Sequence, residues 1–198
     1  MSNIKTTKER MQKLREQIQD GSIMKLEGLG GEVNFRIFDY DPQEEYYIRE
    51  NLNDFSSNKY NIQVFNIFKI IIEILEEKGY LKKVIEYEKK KGIEKTNDVI
   101  RDTLEISSKN DKIIKYIEDN QQDNKVVIIT GLGEVYGIVR PHTILNSLQH
   151  VVEKNPLIMF YPGIYTGQEI KLFGKSNDEL NSREGLPSNN YYRAFRYE

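Results

Sequence analysis

The fold is decided by Val126-Val127-Ile128-Ile129-Thr130-Gly131-Leu132-Gly133-Glu134 and, after an intervening helix, by Leu157-Ile158-Met159-Phe160-Tyr161. Each apolar run predicts a strand that is buried on both faces, which is typical of a parallel sheet. Pro141 suits the first turn of the helix between them, and Asn155-Pro156 would end that helix. The pattern predicts a β-loop-α-β unit, whose crossover we expect to be right-handed.

The rest of the chain extends this unit to an α/β domain. We expect further strands at 35–38, 61–65, 170–173 and 191–197, a turn at 162–163, and helices at 3–19, from 42, from 67, and near 81–91, 96–107 and 110–119. The helix from residue 67 is apolar nearly all round, so we expect it to lie deep in the core. The prediction is a single domain over residues 1–198, with a mainly parallel sheet flanked by helices and an amphipathic helix at its N-terminal end.

Composition limits the function. The 198 residues carry a net charge of −2, which gives no overall attraction to nucleic acid or to an anionic membrane. The chain has no cysteine, which excludes disulfides, thiolate metal ligands and cysteine nucleophiles. It shows no signal-peptide pattern and no apolar run near the roughly 20 residues that a membrane helix needs. We therefore expect a cytoplasmic protein without a membrane segment.

The glycines after the central strand raise the question of a nucleotide site. Backbone N–H groups in such a loop bind phosphate when a helix follows. A phosphate loop also needs Gly-Lys-Ser/Thr, whereas this chain has Tyr136-Gly137-Ile138, and Glu134 would repel phosphate. We interpret Gly131 and Gly133 as a tight turn in a fold that resembles nucleotide-binding proteins but lacks their Walker motifs. No cofactor is predicted.

Two cations follow this loop at the same edge of the predicted sheet. With the loop they form a possible ligand or anion site: Gly131, Gly133, Glu134, Arg140 and His142. Pairing of Arg140 and His142 with a carboxylate is the commoner outcome. His142 and His150, the only histidines, lie about two helical turns apart, so they cannot hold one metal ion without other ligands. A nucleotide- or DNA-responsive regulator that uses the loop at 131–142 is the second hypothesis.

Asp39-Tyr40-Asp41 follows the first predicted strand and gives a third hypothesis. Two carboxylates at this place resemble the opening motif of haloacid-dehalogenase-like phosphatases, in which they act as nucleophile and acid/base beside magnesium. The later acidic pair of those enzymes is missing, because the corresponding strand leads into Pro162-Gly163. A simpler role explains Asp41: it can cap the next helix, with Pro42 in the first turn.

Two segments are candidates for a partner surface. The C-terminal end alternates aromatic and basic residues, which protein interfaces favour: Tyr191, Tyr192, Arg193, Phe195 and Arg196. One face of such a strand packs on the sheet while the other stays available, and base stacking on nucleic acid is a weaker alternative. The competing segment is the helix at 3–19, whose apolar stripe either packs on the domain itself or docks in a partner's groove: Ile4, Met11, Leu14 and Ile18.

Two blocks of the sequence also carry a resemblance to a known family. The first contains Gly131-Leu132-Gly133-Glu134-Val135-Tyr136, Arg140-Pro141-His142 and Leu145-Asn146-Ser147-Leu148. The second contains Phe160-Tyr161-Pro162-Gly163, Tyr165-Thr166-Gly167-Gln168, Leu172-Phe173-Gly174 and Asn190-Tyr191-Tyr192-Arg193-Ala194-Phe195. Phe38-Asp39-Tyr40-Asp41-Pro42 extends the similarity toward the N-terminus. These blocks are similar to the BrxB family of BREX (bacteriophage exclusion) defence systems.

The resemblance implies a small protein that works in a phage-restriction assembly with a methyltransferase, an ATPase and the phosphatase-like component PglZ. It implies no catalytic residues, and the sequence itself contains no complete active site. The leading hypothesis is therefore a non-enzymatic adaptor or scaffold that binds other BREX proteins, PglZ first. Nucleic acid would be contacted only indirectly or weakly.

Overall fold

The computed structural model describes residues 6–25, 35–55, 60–148, 151–152, 155–166, 170–173 and 194–198. The helices in these ranges are α1 (Thr7–Gln19), α2 (Glu45–Phe55), α3 (Ile67–Glu77), α4 (Leu81–Lys91), α5 (Ile93–Leu104), α6 (Lys112–Asn120) and α7 (Pro141–Leu148). The strands are β1 (Phe35–Tyr40), β2 (Ile62–Asn66), β3 (Val126–Thr130), β4 (Leu157–Tyr165), β5 (Ile170–Leu172) and β6 (Phe195–Arg196). Short 3-10 helices lie at Ser22–Lys25 and Pro42–Glu44.

Five of these strands form a parallel sheet in the order β2-β3-β4-β1-β6, and β5 pairs antiparallel with β4. The register places Ile129 beside Met159, and Met159 beside Ile37. Because β3 and β4 each lie between two other strands, their side chains point to the two faces of the sheet, and both faces are covered. The predicted mainly parallel sheet is confirmed.

Helices cover the sheet on both faces and create two cores. Along β3, Val127 and Ile129 belong to the core formed with α3 to α7, whereas Val126 and Ile128 belong to the core formed with α1 and α2. All four side chains are at most 1% exposed. The unbroken apolar run is therefore needed because successive side chains of a strand point into different cores.

α1 packs on the sheet and shares a core with α2. Its apolar stripe is buried there: Met11, Leu14 and Ile18. The helix begins with a capping box, in which Thr6 accepts a hydrogen bond from the Glu9 N–H and Glu9 accepts one from the Thr6 N–H. Of the two interpretations of this helix, packing on the domain itself is confirmed. Ile4 lies outside the described residues.

The predicted turn at Pro162-Gly163 is wrong, because β4 continues through it to Tyr165. Pro162 lies opposite Tyr40 of β1, and its carbonyl oxygen accepts a hydrogen bond from the Phe173 N–H at 3.1 Å. A Cβ on Gly163 would lie 2.1 Å from the Lys171 carbonyl oxygen, so only glycine allows β5 to approach this closely. Strand pairing on both sides of β4 overrides the local turn signal.

Two other elements differ from the prediction in their boundaries, and a third, α3, differs in its burial. β1 continues to Tyr40, so that Asp39 lies within the strand. α3 is not buried all round: it lies on one face of the sheet, and Phe68 on its outer side is 38% exposed. α7 is described to Leu148, and Val152, which was expected to lie on the same helix, is buried beyond it in non-helical backbone.

Candidate functional site

The carboxyl end of β1 carries a buried ion cluster. Asp39 is 3% exposed, and both of its carboxylate oxygens accept hydrogen bonds. Arg10 Nη2 donates to Oδ1 at 2.8 Å, and Arg196 Nε donates to the same oxygen at 2.9 Å. The backbone N–H of Tyr165 donates to Oδ2 at 3.2 Å. We call Arg10, Asp39 and Arg196 the ion triad, which joins α1, β1 and β6.

Arg10 is held by further contacts besides its ion pair. Nη1 donates to the backbone carbonyl of Asp39 at 2.6 Å, and Nε donates to the carbonyl of Tyr197 at 2.9 Å. The guanidinium carbon lies 4.3 Å from the centroid of the Phe38 ring. Burial lowers the pKa of Arg10, while the charge of Asp39 opposes that shift. Because the ordinary pKa of arginine is above about 12, the side chain remains a cation.

The surroundings of Asp39 and Asp41 bear on the phosphatase hypothesis. A nucleophilic carboxylate must reach its substrate, whereas Asp39 is enclosed by two guanidinium groups and a backbone N–H. Asp41 accepts a hydrogen bond from the Gln43 N–H at 2.9 Å and caps the helical turn that leads into α2. The predicted capping role is confirmed, with Pro42 at the first position. Both aspartates therefore have structural partners that account for their presence.

The glycine loop after β3 is shaped by close packing. Gly131 has a φ of +80°, in the left-handed region, and a Cβ there would lie 2.6 Å from the side-chain oxygen of Asn66. A Cβ on Gly133 would lie 3.0 Å from the ring of Pro162 and 3.3 Å from that of Phe173. Neighbouring side chains already fill the space that two glycines would offer to a phosphate. The interpretation as a tight turn agrees with this geometry.

Glu134 connects the loop to α2. Its carboxylate lies 3.2 Å from Arg49 Nη2 and accepts a hydrogen bond from Asn66 Nδ2 at 3.4 Å. Arg49 Nε also donates to Glu45 at 2.7 Å, and the Tyr40 hydroxyl donates to the other oxygen of Glu45. Burial, reinforced by this hydrogen bond, raises the pKa of Tyr40, so that its hydroxyl stays protonated. The chain of contacts runs from β1 through α2 to the loop.

The remaining two residues of the predicted anion loop lie at the start of α7. Arg140 precedes the helix, and its backbone carbonyl accepts a hydrogen bond from the Thr143 N–H at 3.0 Å. His142 lies in the first turn, with its side chain outside the part that the structure describes. An anion in this loop would meet the negative charge of Glu134. The described contacts therefore lend no support to an anion site.

Sequence analysis missed an exposed aromatic pair beside the loop. The rings of Tyr136 and Phe173 meet edge to face with their centroids 6.3 Å apart, and each side chain is 46% exposed. Phe173 reaches the loop because β5 folds back on β4, a contact that no local pattern indicates. For Tyr136 the signal in the sequence is an aromatic residue at the third glycine position of the Gly-x-Gly-x-x-Gly fingerprint of dinucleotide-binding proteins, counted from Gly131.

The predicted partner surface is described in part. The residues outside the described ranges are Tyr191, Tyr192 and Arg193. Phe195 is half-buried, and the guanidinium carbon of Arg36 lies 5.5 Å from its ring centroid. The Arg196 side chain is 42% exposed but belongs to the ion triad. Strand β6 lies at one end of the order of the described parallel strands.

Within the described ranges, no three His, Asp or Glu side chains are grouped so as to hold a metal ion. In the same part of the chain, no helix has both the length and the apolar character that crossing a membrane requires. The polar side chains at the carboxyl edge of the sheet contact one another, as Glu134 contacts Arg49.

Fold and site together define a parallel α/β protein whose carboxyl edge is held by internal ion pairs. The family profile of BREX protein BrxB matches residues 63–197. A BREX protein BrxB from Bacillus cereus (strain H3081.97) is 42% identical over 196 residues, which cover 95% of this chain and 95% of the relative. Another from Escherichia coli O9:H4 (strain HS) is 34% identical over 190 residues, covering 94% of this chain and 89% of the relative.

The chain belongs to the BrxB family of BREX (bacteriophage exclusion) proteins. The resemblance carried by the glycine loop and the C-terminal block is therefore confirmed. No solved structure matches the chain. Membership of a BREX system implies other BREX proteins as partners.

The ion triad predicts strong destabilisation when one charge is removed. We expect Arg10→Leu to lower the free energy of unfolding by about 3 kcal/mol. Removal of one partner from a buried ion pair costs about 3–5 kcal/mol, and the smaller value applies because Arg196 still neutralises Asp39. The matched control, Asp98→Asn, removes an exposed ion pair with Arg101 and should cost less than about 1 kcal/mol. Urea denaturation measures both. Equal stability of Arg10→Leu and the parent would show that the triad does not hold the fold.

Two substitutions at Asp41 distinguish a capping role from a catalytic role. Asp41→Asn should unfold like the parent, because asparagine caps a helix about as well as aspartate, while Asp41→Ala should cost about 0.5–2 kcal/mol. Thermal melts and phage plating on cells that carry each variant measure stability and defence together. Loss of defence in Asp41→Asn at an unchanged melting temperature would show that capping is not the only role of Asp41 and would favour the phosphatase.

Proposed function

We propose that this BrxB-family protein is a non-enzymatic adaptor that binds other components of its BREX defence system. The observation that carries the proposal is the state of the acidic residues at the carboxyl edge of the sheet, where enzymes of this architecture place their catalytic groups. Asp39 is enclosed by the ion triad, Asp41 caps a helix, and Glu134 pairs with Arg49. Each carboxylate has an internal partner, so binding is the function that this edge supports best.

The proposed first partner is PglZ. The family resemblance implies an assembly that contains PglZ, and an adaptor without its own chemistry acts by holding such a component in place. The proposed contact surface is the C-terminal strand, of which Phe195 and Arg196 are described. It combines an aromatic side chain with a guanidinium at the rim of the sheet, and interfaces favour both types.

A variant that tests this surface must leave the ion triad and α1 intact. Arg196 holds Asp39, and α1 supplies both Arg10 and a fully buried Leu14, so substitution of Arg196 or deletion of α1 would damage the fold. Phe195→Ala avoids this damage because the Phe195 side chain is half-buried and lies outside the triad. Tyr80→Ala is the matched control, since Tyr80 is an exposed aromatic residue that precedes α4.

We expect tagged parent protein to capture PglZ when both are co-expressed, and Phe195→Ala to recover about tenfold less, as for a hot-spot residue worth at least 1.4 kcal/mol. Tyr80→Ala should recover as much as the parent. Each variant is first shown to melt like the parent. If PglZ is not captured, or if Phe195→Ala captures it fully, the proposed partner or the proposed surface is wrong.

The adaptor and regulator hypotheses make opposite predictions about nucleotide binding. For the adaptor, thermal melts with and without magnesium-ATP should superimpose, because Gly131 and Gly133 are packed against side chains and no lysine completes a phosphate cradle. Binding at a hundredfold excess over the dissociation constant would stabilise the fold by about 2.7 kcal/mol, a readily visible shift. A reproducible upward shift that Gly133→Val abolishes would contradict the adaptor and support the regulator.

A further inference from the structure

An apolar ridge lies at the carboxyl edge of the sheet. It consists of four large side chains that the fold leaves exposed: Ile93, Tyr136, Ile164 and Phe173. Ile93 is 62% exposed and Ile164 is 52% exposed. Single exposed apolar side chains are ordinary on a protein surface, whereas a contiguous group of them marks an interaction site. The significance of the ridge therefore depends on whether its members adjoin one another.

The aromatic pair connects to Ile164 through Pro162. The rings of Pro162 and Phe173 both border Gly133, at 3.0 and 3.3 Å from the position that a Cβ would take there. Pro162 and Ile164 are two residues apart in β4, so their side chains point to the same face of the strand. Since Phe173 also contacts Tyr136, these three exposed side chains form one continuous surface.

Helix α5 brings Ile93 to the other end of the pair. A Cβ on Gly137 would lie 2.8 Å from Asn97 Nδ2, and Arg101 donates a hydrogen bond to the Gly137 carbonyl oxygen. Ile93 precedes Asn97 by four residues, so the two lie on the same face of α5, with Ile93 one turn nearer the start of the helix. Because Gly137 directly follows Tyr136, Ile93 continues the ridge beyond the loop.

Cations without internal partners lie on either side of Ile93 in the sequence. The eight residues at 88–95 contain four lysines and two glutamates, which leaves a charge of +2 in a chain whose total is −2. The exposed lysines are Lys89, Lys90, Lys91 and Lys95. In the part of the chain that the structure describes, none of these four side chains takes part in an ion pair or a hydrogen bond. The ridge is therefore apolar along its length and positive at the end formed by α5.

These features favour a protein over a nucleic acid as the occupant of the ridge. Two of its four side chains are isoleucines, which offer a base no ring on which to stack. Carboxylates also border the ridge, because Glu94 follows Ile93 and Glu134 lies in the loop that carries Tyr136. A phosphate backbone has a charge at every nucleotide and would meet these carboxylates, whereas a protein segment can place its acidic residues opposite the lysines alone.

We infer that the apolar ridge binds a segment of another BREX protein, which presents apolar side chains to the ridge and acidic side chains to the lysines at 89–95. The ridge is separate from the C-terminal strand. Phe195 is opposite Arg36, near the start of β1, whereas the ridge lies at the carboxyl ends of β3 and β4. The inference rests on the proposed adaptor function and deepens it, because two separate surfaces allow one adaptor to hold two partners.

Site-specific photo-crosslinking tests the inference in cells that carry the complete BREX system. Tyr136→p-benzoylphenylalanine places the crosslinking group in the ridge, and the same replacement of Tyr80, an exposed tyrosine before α4, is the matched control. Mass spectrometry identifies the crosslinked segment. We expect position 136 to crosslink to a BREX protein, in a segment that combines apolar residues with an excess of acidic ones. Position 80 should not crosslink to that segment.

Charge reversal tests the acidic contact. Lys91→Glu combined with Lys95→Glu should lower the crosslink yield at least about tenfold, because two attractions become repulsions. Lys82→Glu combined with Lys83→Glu makes the same change in charge about 12 Å away along α4 and should leave the yield unchanged. Lysines in place of the acidic residues of the partner segment should restore crosslinking to the first double variant, which a merely structural effect would not do. Each variant is first shown to melt like the parent.

Several results would overturn the inference. They are the absence of a crosslink from position 136, a crosslink to a second copy of the chain or to nucleic acid, an unchanged yield after charge reversal, and failure of the compensating lysines. The outcome is independent of the PglZ capture experiment. If PglZ is captured through Phe195 while position 136 crosslinks to nothing, only the ridge is wrong. A crosslink that is lost on charge reversal and regained with the compensating lysines supports the ridge even if PglZ is not captured.

Discussion

The pairing of Asp39 with Arg10 and Arg196 is the contact on which the arrangement of the molecule depends. It lies at the carboxyl end of β1, where α1, β4 and β6 meet, and every oxygen of the buried carboxylate is in use. A charge this deep is tolerated only with complete compensation, so its partners must be in place for the fold to be complete. The same contacts that stabilise the fold also lie at the carboxyl ends of the strands, where open α/β sheets bind their ligands.

The sequence predicts the fold where local patterns and burial agree. The β-branched run of β3, the apolar return in β4 and the cap at Asp41 are all found as expected. Prediction fails where distant residues decide. Pro162-Gly163 has the composition of a turn, yet pairing with β1 and β5 keeps it in a strand. The ion triad is equally hidden, because Asp39 finds its partners 29 and 157 residues away along the chain.

The glycine loop shows how one sequence signature serves different purposes. Glycines after a parallel strand permit a phosphate to approach the backbone, but they equally permit a side chain to do so. Here Asn66 occupies the space beside Gly131, and Pro162 and Phe173 occupy that beside Gly133. Glu134 then joins the loop to α2. A glycine here indicates that another group approaches the backbone closely, and the surrounding residues decide whether that group is a ligand or a side chain.

The position of β6 has a consequence for the order of folding. Every other strand of the parallel sheet, with its covering helices, precedes it in the chain, and β6 pairs with β1, near the opposite end. During synthesis, the Asp39 carboxylate of β1 cannot pair with Arg196 until β6 has left the ribosome. Contacts this far apart in sequence form slowly, since a long loop must close before they contribute. For most of the synthesis of this protein, Arg10 is therefore the only member of the ion triad that can pair with Asp39.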